Sequence, residues 1–133
     1  MSKDLPVSLE LNMVQFWKKD KKEEVMMIRK GFIMYVYPHM HEEYERRHHE
    51  LWPEMLEELY EHGVTNYSIF LDKETSQLFG YLEIEDEEKW SKMAKTDINQ
   101  KWWAYMEPVM ETNPDKSPVT KELREVFHIE KKD

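Results

Sequence analysis

I-R-K-G-F-I-M-Y-V-Y, residues 28–37, alternates along its length. Successive side chains of an extended chain point to opposite sides. Phe32, Met34 and Val36 therefore share one face, and Ile33, Tyr35 and Tyr37 share the other. The pattern predicts a strand, and Pro38, which has no amide hydrogen for a ladder, ends it.

The chain downstream repeats that logic. Residues 41–62 read as a helix, with Gly63 suited to its C-terminal cap. Tyr44, His48, Leu51, Met55 and Leu59 form one inward stripe, while Glu42, Glu45, Arg46 and Glu50 lie largely off it. Pro53 lies inside this stretch. It is either a kink or the first residue of a new helical segment, where proline is welcome. Residues 66–71 and 78–84 read as two strands joined by D-K-E-T-S-Q, a hairpin. Residues 86–110 carry helical patterns interrupted near Thr96-Asp97 and at Pro108. Residues 113–118 form a loop, and residues 123–129 alternate again as a fourth strand.

The order is β-α-β followed by β-α-β. It predicts an α+β, ferredoxin-like sandwich, an antiparallel sheet with helices on one face. The other face then needs a cover. A second copy of the chain supplies it most simply, which predicts a homodimer of the dimeric α+β barrel type. The outward Ile and Tyr residues of the first strand fit that arrangement, or they line a pocket. Residues 1–26 do not resemble the rest and read as an N-terminal extension, partly helical around residues 9–17 and then a charge run, K-K-D-K-K-E-E. Met26 and Met27 also offer internal starts. The domain proper spans residues 27–133.

The 133 residues fit one domain with one core. Apolar residues make up 40% and charged residues 35%, a globular balance. The net charge of −9 argues against a nucleic-acid partner, which needs clustered Lys and Arg, and against an anionic membrane surface. No apolar run approaches membrane-span length, and the N-terminus lacks a signal-peptide layout. Cysteine is absent, so there is neither disulfide nor thiolate chemistry. A cytoplasmic setting fits these features.

Three groups of residues carry chemistry. Tyr44 and His48 lie one turn apart on the inward stripe. A satisfied core histidine is the plainer explanation. A general acid/base is the functional one, because imidazole titrates near neutral pH. Q-K-W-W-A-Y-M-E-P, residues 100–108, holds adjacent tryptophans that point about 100° apart on a helix. One could be core and the other interface, or both could pack on a sugar ring and offer N–H donors. Tyr67 shares a strand face with Ile69 and Leu71, and its phenol could reach the same cavity. His39, His41, His48, His49 and His62 raise the question of a metal, but the metalloprotease spacing fails at Glu45. With three glycines there is no phosphate loop, and no serine sits in a nucleophile elbow.

Between Met27 and Ile129 the chain carries, in order, I-R-K-G-F-I-M, H-E-E-Y-E-R-R-H, L-W-P-E, H-G-V-T-N-Y-S-I-F-L-D-K, T-D-I-N-Q-K-W-W-A-Y-M, N-P-D-K-S-P-V and L-R-E-V-F. This succession resembles the L-rhamnose mutarotases. The resemblance implies an isomerase that interconverts the α and β anomers of L-rhamnose, dimeric, cytoplasmic and ferredoxin-like. It implies His48 as the proton donor, and Tyr44, Tyr67, Trp102 and Trp103 as substrate-binding residues. His49 is a minor departure from the family's pattern. Such a reaction needs only proton transfer and positioning, so no metal or other cofactor is expected. The rivals are a non-catalytic dimeric α+β barrel that binds a sugar, an oxygenase on the same type of barrel, and a histidine–metal site.

Overall fold

A computed structural model describes residues 27–132. The expectations for residues 1–26 lie outside the described residues. Strand β1 (Ile28–Tyr35) leads through a 3₁₀ turn into helices α1 (His41–His49) and α2 (Pro53–Glu61). Strands β2 (Val64–Asp72) and β3 (Gln77–Ile84) form the hairpin. Helices α3 (Glu87–Ser91) and α4 (Asp97–Met106) follow, and β4 (Lys121–Leu123) closes the sheet.

The sheet order is β2-β3-β1-β4, with every neighbouring pair antiparallel. Strands β1 and β2 therefore run the same way with β3 between them, which is the ferredoxin-like connection expected from the sequence. The faces also fall as the alternation predicts. Met34 and Val36 enter one core with Leu78, Leu82 and Ile84 of β3. Tyr44, Met55 and Leu59 close that core from α1 and α2, and Trp102 and Met106 close it from α4. Ile33 lies outside this cluster. It pairs with Phe79, which pairs with Phe70, so the three lie on the helix-free face. Phe70 is 64% exposed there.

The single helix expected over residues 41–62 is two helices. Trp52 adopts φ −63° and ψ 135°, and Pro53 occupies the first turn of α2. The residue before a proline is sterically driven out of the helical region, while proline itself suits a helix start. Of the two roles open to Pro53, the structure takes the second. Gly63 follows α2 at φ +91°, a left-handed conformation that costs glycine little.

The fourth strand is also shifted. It covers Lys121–Leu123, and residues 124–129 lie outside any strand. Gly31 pairs with Leu123, so an antiparallel continuation reaches Ile28, the start of β1, only three residues further on. The contact at that end is made by side chains. Arg29 donates two hydrogen bonds to the Glu125 carboxylate, each 3.0 Å. Val126, Phe127 and Ile129 are exposed.

Candidate active site

Helix α1 carries Tyr44 and His48 on its inner side. Their ring centroids are 4.3 Å apart. The opposite side carries an exposed charge network, in which Arg46 bridges Glu43 and Glu50. Arg46 and Arg47 both donate to Glu43, and these bonds hold its carboxyl down at about 2. Arg47 reaches further. It donates to the backbone carbonyl of Tyr105 and stacks its guanidinium 4.2 Å from that ring's centroid, joining α1 to α4.

Helix α4 is started by Thr96, whose hydroxyl accepts from the Asn99 amide. It presents Trp102 edge-on to His48, with centroids 5.3 Å apart. Trp52, at the break between α1 and α2, packs edge-on to Trp102 at 5.1 Å. The break that proline imposes thus delivers an indole that braces Trp102, which in turn abuts His48. On the sheet side, Tyr67 meets Phe32 edge to face at 6.2 Å.

A cavity of about 990 Å³ lies between the helices and the sheet. Tyr44, His48, Tyr67, Trp102 and Trp103, the five expected site residues, all line it, and so does Asn99. Asn99 was missed by the sequence reading. It is buried, and its carboxamide bonds to no other described residue. The available signal was its spacing, three and four residues before the two tryptophans.

His48 Nδ1 lies 3.1 Å from the carbonyl oxygen of Tyr44. A carbonyl can only accept, so Nδ1 carries the hydrogen and Nε2 of the neutral ring holds a lone pair. Nε2 has no partner among the described residues. Burial lowers the His48 pKa, and His49 lowers it further against the opposing bond to Tyr44. Burial also raises the Tyr44 phenol, and it raises that of Tyr67 to about 12. Both phenols keep their hydrogens at neutral pH and can donate. Neither bonds to another described residue. Among the described residues no side-chain nitrogen or oxygen is both fully buried and unpartnered, so the free polar groups of His48, Tyr44, Tyr67 and Asn99 keep access to the cavity, where a polar ligand or ordered water can meet them.

Two further histidines, His41 and His62, are occupied separately. His41 Nε2 pairs with Ser76 Oγ at 2.8 Å, and His62 Nδ1 donates to the Glu58 carbonyl at 2.8 Å. Among the described residues no three His, Asp or Glu side chains come together as a metal-binding group.

These features define a ferredoxin-like α+β protein with a histidine-bearing, aromatic-lined cavity on the helix side of its sheet. A family model described as L-rhamnose mutarotase matches residues 29–129. A protein named L-rhamnose mutarotase from Oceanobacillus iheyensis is 70% identical over 104 residues, covering 78% of this chain and 100% of that one. The crystal structure of an L-rhamnose mutarotase from Formosa agariphila is 39% identical with a TM-score of 0.72, covering 77% of this chain and 99% of that chain. The chain belongs to the L-rhamnose mutarotase family. A monooxygenase-type structure from Nitrosomonas europaea shares the fold alone, at 11% identity and a TM-score of 0.54 over 74% of this chain and 86% of that chain.

Proposed function

We propose that this chain interconverts the α and β anomers of L-rhamnose, with His48 moving the proton. The observation that carries the mechanism is the bond from His48 Nδ1 to the Tyr44 carbonyl, which leaves Nε2 as a base. In the first step Nε2 takes the proton of the anomeric hydroxyl. The C1–O1 bond becomes a carbonyl, the C1–O5 bond breaks, and its electron pair stays on O5. The imidazolium just formed returns the proton to O5. Rotation about C1–C2 turns the aldehyde, and the same steps in reverse close the ring on its other face. Protons balance, and no electrons are transferred to or from the protein. The family resemblance implies His48 as a proton donor; the lowered pKa supports a neutral imidazole that first accepts a proton and then donates it during turnover.

Tyr44 and Tyr67 hold sugar hydroxyls by donation from phenols that stay protonated. Trp103 packs on the sugar's C–H face. Trp102 contributes its edge to the wall and holds the His48 ring in place. The Asn99 carboxamide, with both donor and acceptor ends, serves a further hydroxyl.

The protein acts as a homodimer, with a second copy covering the sheet face that carries Ile33, Phe70 and Phe79. The exposed Phe127 lies beside Gly31 and Tyr81 at the β1 edge of that surface. Among the described residues no helix is long and apolar enough to cross a membrane. The cysteine-free composition fits a cytoplasmic setting.

Saturation-transfer NMR on L-rhamnose tests the activity and the order of proton transfer together. The protein should speed anomer exchange above the buffer rate. The rate should be flat around neutral pH and fall on acidification only below the ordinary imidazole value of ~6.5. No acceleration removes the activity, and a rate that rises on acidification removes the base-first order.

A further inference from the structure

Gly80 lies in the middle of β3, directly opposite Phe32 of β1 and Ile69 of β2. A Cβ built on Gly80 would sit 2.2 Å from Cε2, 2.3 Å from Cζ and 2.9 Å from Cδ2 of Phe32. No side chain larger than hydrogen fits while Phe32 keeps its place. The ring lies across the backbone of β3, and Tyr67 stands edge-to-face beside it. Phe32 and Ile69 both line the cavity.

The cavity is thus two-sided in chemistry. Its polar groups come from α1, α4 and Tyr67 and, on the β4 side, from Lys30, Thr120 and Glu122. Its floor under Tyr67 is apolar, made by Phe32, Met34 and Ile69. A 6-deoxyhexose has a matching asymmetry, with hydroxyls on most of the ring and a methyl group at C6. We propose that the Gly80–Phe32 pair is a specificity determinant: Gly80 seats the Phe32 ring on the sheet, and the ring forms a floor that accepts the C6 methyl group and rejects a C6 hydroxymethyl. This rests on the cavity being the sugar site. A hydroxymethyl seated on that floor would set its hydroxyl against the Phe32 ring, where a methyl group loses nothing, a preference of roughly tenfold or more.

The test compares L-rhamnose with L-mannose, the same sugar with a hydroxyl at C6, by saturation-transfer NMR. The wild-type chain should prefer L-rhamnose in kcat/KM by about tenfold or more. Gly80→Ala should raise the KM for L-rhamnose roughly tenfold, by lifting the ring into the cavity. The clash falls on the far end of a side chain, so the ring can yield and the sheet can stay intact. Adding Phe32→Leu to Gly80→Ala should recover most of that loss, a rescue that general damage to the strand would not show. Phe32→Leu alone should narrow the preference between the sugars.

Overturning results are an unchanged KM in folded Gly80→Ala, a double variant no better than the single one, or no wild-type preference. If Gly80→Ala fails to fold, the preference of Phe32→Leu decides, and an unaltered ratio overturns the proposal. Sugar affinities measured in a His48→Ala background separate this proposal from the acid/base role. The affinity comparison stands or falls by itself there, whereas wild-type exchange in His48→Ala overturns the histidine's role only.

Discussion

At the scale of the residue, the central object is one imidazole whose two nitrogens are treated differently. Nδ1 is tied to the Tyr44 carbonyl, and Nε2 belongs to the cavity. The ¹⁵N chemical shifts of His48 should report the Nδ1–H tautomer at neutral pH; an Nε2–H tautomer would contradict the base-first route. Folding disfavours the charged ring, so the His48 pKa lies below that of a free imidazole. Tyr44→Phe keeps the carbonyl and removes only the phenol. It should raise the KM for L-rhamnose about tenfold with a smaller effect on kcat, read by exchange kinetics over a sugar titration. Helical spacing made the facing of Tyr44 and His48 legible in the sequence. The tautomer was not legible, because it depends on a backbone carbonyl one turn away. Asn99 was overlooked because an isolated amide on a helix has no pattern of its own.

At the scale of the element, the site depends on how α1 is held against α4 and where α1 stops. Arg47 spans the first gap with its bond and its stacking on Tyr105. Arg47→Met keeps much of the stem but loses the guanidinium. It should lower the unfolding free energy by about 1–2 kcal/mol, measured by urea denaturation, and lower kcat by misplacing His48. An unaltered midpoint and kcat would remove Arg47 from this role. The helix end was half legible. Proline announced an interruption, but sequence could not separate a kink from a fresh start. The fourth strand was misplaced for a related reason. Alternation in residues 123–129 marks side chains that can face an apolar surface, and a ladder needs a neighbouring backbone as well. Beyond residue 126 the register has run past the start of β1.

At the scale of the whole molecule, the order of elements carried the fold, because a doubled β-α-β unit has few ways to bury one sheet face. The inner and outer faces of β1, β2 and β3 followed from alternation. The outer face keeps exposed aromatic rings in the single chain, Phe70 and Phe79 among them. A Phe79→Asp variant should shift the protein from dimer to monomer in sedimentation velocity; a wild-type-like monomer throughout would remove the second copy from the account. The cavity, by contrast, lies on the helix side of the sheet, so its aromatic wall is assembled within one chain.

The most direct test of the central claim is anomer exchange in His48→Ala, measured on protein that still unfolds cooperatively and still binds L-rhamnose. Proton transfer through His48 predicts retained binding with exchange reduced by about 10²–10⁴-fold, or to the buffer rate. Exchange at the wild-type rate would contradict it.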